Sequence, residues 1–268
     1  MQRCSIAGSL FPYCVITGLT YDVRVDLGEI QRYLSRTEWG DFPDVQICAP
    51  EAEAHRHPHY AAAKVGDAKS ADALVEDILS ITDVAAIRRL IGDSEPRLLA
   101  VHALESAGMN AIPRVLAKRL SNDFGLSLES GVSQLNRVTH TRADGYHRLA
   151  FPAVFEGNLK VSNYLLIDDF VGQGGTLANL RGYVHQQGGT VTGAIVLAGK
   201  QHSSRLRLGN ETLKRLRGKH GNQLEEWWLS TFGYGLDRLT DSEAAYLCRS
   251  DSFNVIATRL ATARGAGD

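Results

Sequence analysis

The chain has 268 residues, 44% of them hydrophobic and 22% charged, and a formal net charge of −1. That is room for one large α/β domain, or one domain with appendages, of ordinary globular composition. The near-zero charge gives no global electrostatic case for a nucleic-acid partner, so nucleic acid is not favoured. No apolar run approaches membrane-spanning length, so no membrane role is expected.

Taken in chain order, residues 1–65 are mixed in character. The apolar stretch Ser9 to Thr20 is interrupted by Pro12 and lacks the charged start and cleavage site of a signal peptide. Cys4, Cys14, Cys48 and Cys248 are scattered, with no CxxC pair and no zinc-like spacing. Reduced thiols in a cytoplasmic protein are the expectation. Ala49 to Pro58, with its prolines and histidines, reads as a loop. Its His55-Arg56-His57-Pro58-His59 cluster has no acidic or thiol partner at helical spacing, which favours a solvent-facing loop over a metal site.

Residues 66–200 alternate between helical and strand patterns. Ala71 to Leu90 has helical spacing with a break near Thr82-Asp83, and Arg97 to His102 suits a buried strand. Pro113 to Phe124 reads as an amphipathic helix with Pro113 in its first turn. Tyr164 to Ile167 is a buried strand, Thr176 to Gln187 a helix stopped by Gly188-Gly189, and Thr190 to Leu197 the next strand. This rhythm predicts a parallel sheet, whose ligands bind at the carboxyl ends of the strands.

The segment between that strand and helix carries the candidate chemistry. Gly172-Gln173-Gly174-Gly175-Thr176 can bring several backbone N–H groups onto one phosphate, because glycine permits close approach and unusual φ/ψ. The following helix adds its positive end, and the Thr176 hydroxyl adds a donor. Asp168 and Asp169 sit where acceptor-only carboxylates can grip the vicinal hydroxyls of a ribose. A Walker A loop needs a lysine before Thr176, and a dinucleotide fingerprint needs its acid after the glycines rather than before them. Aspartates that merely cap the helix would explain one carboxylate, not two.

Ile167 to Leu177 resembles the phosphoribosyl pyrophosphate signature of the type I phosphoribosyltransferase superfamily. Ala100 to Pro113 is similar to the strand, pyrophosphate loop and helix that come earlier in that fold, and Thr139 to Gly157 sits where the family has its mobile loop. The resemblance implies an α/β parallel-sheet fold flanked by helices: a hood over residues 1–65, a core over 66–200 and a C-terminal helical extension over 201–268. It implies that Asp168 and Asp169 contact ribose hydroxyls directly or through Mg²⁺. Gly172 to Thr176 would hold the 5′-phosphate, and Ala103, Leu104 and Glu105 the pyrophosphate. Arg142 and Asp144 become candidate catalytic residues of the mobile loop, with His147 and Arg148 beside them. The implied reaction displaces pyrophosphate from phosphoribosyl pyrophosphate by a base-like nitrogen acceptor, with charge neutralisation of the leaving group dominating.

The chain departs from that pattern at Gly172-Gln173, where purine-salvage members place an aspartate that assists the base. Two other readings therefore stand beside the enzyme: a phosphoribosyl pyrophosphate or nucleotide sensor, and a subunit of a bacterial defence or toxin assembly. In the C-terminal region, Leu224 to Leu229 reads as an aromatic-faced helix, and Thr240-Asp-Ser-Glu243 as a capping box. A final helix is predicted from Phe253 to Ala263. Packing against the core, a homodimer or a larger assembly would each bury that face.

Overall fold

The computed structural model describes residues 34, 36–101, 104–105, 108–136 and 145–265. The chain enters the sheet with strand β1 (Gln46–Pro50) and turns at once into helix α1 (Glu51–Arg56), followed by α2 (Tyr60–Lys64). Here the loop expected over Ala49 to Pro58 is corrected. Pro50 and Pro58 bracket a helix rather than interrupt it. Pro50 takes the extended N-cap conformation, Glu51 and Glu53 lie in the first turn, and His55 and Arg56 lie in the last. That charge order complements the helix dipole.

The helical pattern over Ala71 to Leu90 resolves into α3 (Ala68–Ser80) and α4 (Val84–Ile91). The Asp67 side chain caps α3 by accepting from Ser70 N, and Asp83 caps α4 by accepting from Ala85 N. Strand β2 (Arg97–Ala100) is followed by two short strands that pair antiparallel, β3 (Leu104–Glu105) and β4 (Gly108–Met109), and then by α5 (Ile112–Phe124). Next come β5 (Leu128–Glu129), β6 (Val132–Gln134), α6 (Gly145–Ala150) and β7 (Phe155–Gly157). The two longest strands, β8 (Asn163–Val171) and β9 (Thr190–Gly199), flank α7 (Gly175–Gln186).

The result is an α/β fold built on a parallel five-stranded sheet of order β1-β9-β8-β2-β5. Its central strands are buried on both faces, as their continuous apolar runs require. Side chains alternate between the faces. Leu98, Leu165, Ile167 and Ile195 join α3, α4 and α5 in one core. Leu99, Tyr164, Leu166 and Val196 join Leu177, Leu180 and Val184 of α7 in the other.

The C-terminal region adds α8 (Asn210–Phe232), α9 (Asp241–Leu247) and α10 (Phe253–Gly265). Helix α8 is kinked at Gly221, whose φ is +64°. These helices close a third core around Trp228, Phe232, Leu236, Leu247 and Leu260, which also takes in Tyr146 and Leu149 of α6. Residues 36–42 strap this region to the sheet. Trp39 Nε1 donates to Leu239 O (2.8 Å), and Arg181 of α7 donates to Thr37 Oγ1 and Glu38 O (both 2.7 Å).

Two histidines, His220 buried and His185 half-buried, give this fold a pH dependence. Burial pushes His185 down, helped by Arg181, and burial also pushes His220 down against the Leu247 carbonyl it meets. Both rings keep one nitrogen buried without a partner among the described residues. The native state therefore favours the neutral ring, and the unfolded chain binds more protons as pH falls. Their contribution is intact above the unfolded histidine pKa of about 6.5 and is lost as pH drops through it toward the lower native values. Thermal melts of wild type should show this loss between neutral pH and about pH 5.5, and His220→Gln should flatten it. An equal slope in wild type and variant would show that His220 is not responsible.

Candidate functional site

The carboxyl end of β8, with Val101 after β2 and Glu51 after β1, opens onto a cleft of about 360 Å³. Its floor is the segment that sequence singled out. Strand β8 runs through Asp168 and Asp169 before the chain turns through Gly172, Gln173 and Gly174 into α7. Gly174 has φ +80°, a left-handed conformation that glycine adopts at no steric cost. No side chain caps α7. Its first internal bond is donated by Ala178 N to Gly174 O, so the amides ahead of Ala178 have no helical acceptor.

The two aspartates sit in different electrostatic surroundings. Lys64 of α2 reaches Asp169 Oδ2 at 2.8 Å, and Asp169 N donates to Asp168 Oδ1 at 2.8 Å. Burial, and then the adjacent Asp169 carboxylate, push the Asp168 carboxyl well above the usual carboxylate range, so it favours its proton. Burial opposes the charge on Asp169 too, but the Lys64 ammonium outweighs it and holds that carboxyl low, with the Asn110 amide assisting.

The opposite wall comes from distant sequence. Arg36 donates to Glu243 through both terminal nitrogens, to Oε2 at 2.5 Å and Oε1 at 2.8 Å, and its Nε donates to Asn179 Oδ1 at 2.7 Å. Both side chains are nearly fully buried, 3% and 4% exposed. The pair sits directly over the helix entrance, because a Cβ on Gly175 would stand 2.7 Å from Glu243 Oε1. Glu243 also completes the capping box of α9. Its Oε2 accepts from Thr240 N, and the Thr240 hydroxyl accepts from Glu243 N while donating to Gln173 O at 2.6 Å. The glycine turn is thereby pinned to the C-terminal helices.

Sequence reasoning placed Asp168, Asp169 and Gly172 to Thr176 together, and all of them line the cleft. Leu104 and Glu105 form the short β3 strand, while Ala103, Arg142 and Asp144 lie outside the described residues. The histidine cluster gathers in part: the His57 and His59 rings stand 5.6 Å apart, and His55 faces Glu51 four residues earlier, an acidic partner at helical spacing that the sequence reading overlooked. His55 stacks on Phe170 at the cleft, whereas His57 pairs with Asp77 at 3.0 Å. Lys64, Arg36 and Glu243 were missed as site residues. Glu243 was visible only as a capping residue, and Lys64 and Arg36 belong to no motif.

No family model matches the chain. It is similar to Protein TraN from Escherichia coli. The two are 40% identical over 230 residues, which is 85% of this chain and 51% of TraN. An uncharacterized protein from Haemophilus influenzae is 36% identical over 151 residues, 56% of this chain and 34% of that protein. The chain thus spans about half the length of TraN and a third of the Haemophilus protein. Among solved structures, the adenine phosphoribosyltransferase of Thermoanaerobacter pseudethanolicus superposes with a TM-score of 0.29 at 14% identity, over 51% of this chain and 84% of that one. That likeness is too slight to argue from.

These relatives correct the functional expectation. Sequence kinship runs to TraN and not to an enzyme of phosphoribosyl pyrophosphate or nucleotide metabolism, so the transferase reading, its sensor variant and the defence or toxin variant all fall. Within the cleft, Arg36 is engaged by Glu243 and Lys64 by Asp169. Among the described residues, no helix is long and apolar enough to cross a membrane.

Proposed function

We propose that this chain corresponds to the matched portion of TraN, and that its cleft binds a small anionic molecule with the anion seated on the Gly172–Thr176 turn. The observation that carries the reading is the uncapped start of α7. A glycine turn at the carboxyl end of a buried parallel strand opens into a helix whose first amides lack acceptors, and such a terminus favours negative charge. The Thr176 hydroxyl adds a donor at the same place. We further read the strand, aspartate pair, glycine turn and helix as a divergent version of the type I phosphoribosyltransferase architecture, a kinship of fold without the transfer reaction.

Asp168 and Asp169 are read as partners for ligand hydroxyls rather than as Mg²⁺ ligands. Lys64 already neutralises Asp169, Asp168 favours its proton, and among the described residues no three His, Cys, Asp or Glu side chains converge. Asp169 would accept from a hydroxyl, and Asp168 would donate to one.

Calorimetric titration with inorganic phosphate and a panel of phosphorylated sugars tests the proposal. Saturable binding, weakened several-fold in Thr176→Val through loss of one charge-assisted hydrogen bond, is the expected result. Absence of saturable binding by every phosphorylated compound at millimolar concentration would contradict it.

A further inference from the structure

Among the described residues of the cleft, Arg36 is paired with Glu243 and Lys64 with Asp169. Arg148, on α6, lines the cleft and has no ion-pair partner among the described residues. Its Nε is buried without a hydrogen-bond acceptor. Its Nη1 lies across the turn, where a Cβ on Gly172 would stand only 3.0 Å away. Gly172 therefore leaves open the space that the guanidinium uses. The neighbouring Gln173 is in the complementary state. Its backbone carbonyl is taken by the Thr240 hydroxyl, but its side-chain Oε1 is buried with no donor. The two orphaned atoms do not bond to each other. A buried polar atom without a partner costs about 1–3 kcal/mol, and more when charged, so two such atoms on residues that line one cleft favour a ligand that, with a small side-chain rotation, supplies both partners.

From this arrangement we infer that Arg148 and Gln173 form a two-point clamp for a hydroxylated anion. An anionic oxygen of the ligand would accept from Arg148, and a hydroxyl a few bonds away would donate to Gln173 Oε1. The inference rests on the anion seat proposed above and narrows its ligand to small phosphate esters that carry a free hydroxyl near the phosphate. The guanidinium is the group suited to the first contact, since its planar donors match phosphate oxygens. The amide oxygen sets the second, because an analogue without the hydroxyl leaves that acceptor buried and unpaired.

The probes are glycerol 3-phosphate and propyl phosphate, which differ in the hydroxyls, titrated calorimetrically into the full chain. Wild type should bind glycerol 3-phosphate about tenfold more tightly than propyl phosphate. Gln173→Leu should bring the two ligands level. Arg148→Met should weaken both by about tenfold or more, with partial recovery in Arg148→Lys. Thermal melts check that each variant is folded, and Gln173→Leu keeps the backbone carbonyl that Thr240 uses. Equal affinity of wild type for the two probes, or unchanged binding in Arg148→Met, would overturn the clamp while leaving the anion seat standing. Failure of wild type to bind any phosphate overturns both.

Discussion

Arg36→Met is expected to lower folding stability by about 3–5 kcal/mol, the range for removing one partner of a buried ion pair. The substitution strands Glu243 in a site where its carboxylate is 4% exposed. It also removes the donor to Asn179 Oδ1 and the guanidinium that lies 4.9 Å over the Tyr234 ring. Among the described residues Glu243 then keeps the Thr240 amide alone, which leaves a buried carboxylate without a countercharge. Asn179 belongs to α7 and Glu243 to α9, so the loss should reach the glycine turn as well as the C-terminal helices. A double-mutant cycle with Glu243→Leu separates the pair from its surroundings. The double variant should be more stable than the sum of the single losses predicts, because an apolar pair leaves no stranded charge. Additive losses would show that the two residues act independently.

Gly174→Ala is the second large effect, and two costs combine in it. The left-handed φ of +80° disfavours any L side chain by about 1–2 kcal/mol. The added Cβ would also stand 2.3 Å from Leu206 Cδ2, an overlap that forces the packed leucine to shift at about 1–3 kcal/mol. The expected loss in chemical denaturation is therefore about 2–5 kcal/mol, with phosphate binding abolished even where the protein remains folded. Combining the change with Leu206→Ala should remove the steric share and leave the conformational share. A Gly174→Ala loss as large in the Leu206→Ala background as in wild type would locate the whole cost in the backbone.

The contrast between these two positions shows what the sequence makes legible. Gly174 is readable because its requirement is local: a buried apolar strand, two acids, glycines and a helical pattern follow one another within a dozen residues. The same locality made α3, α4, β2, α5, β8, α7 and β9 readable from periodicity, whereas the short β3 to β7 and α6 are too brief to carry a period. Arg36 and Glu243 are separated by 207 positions, and no spacing rule links them. Glu243 even carried a complete local explanation as a capping-box residue, which masked its role over α7. Lys64 likewise ends a short alanine-rich helix and gains meaning only where folding sets it against Asp169. Function was misread for the same reason. The glycine turn is a local pattern, whereas the charge around it is decided by Arg36, Lys64 and Arg148, which arrive from three other parts of the chain.

The central claim is that an anion sits on the amides of the glycine turn. Amide-resolved NMR during titration with inorganic phosphate tests it most directly. The account predicts saturable shifts concentrated on Gly174, Gly175 and Thr176, with the Arg148 side-chain Nε–H moving at the same phosphate concentration. Shifts confined to residues outside the cleft, or no saturable shift at the turn, would contradict it.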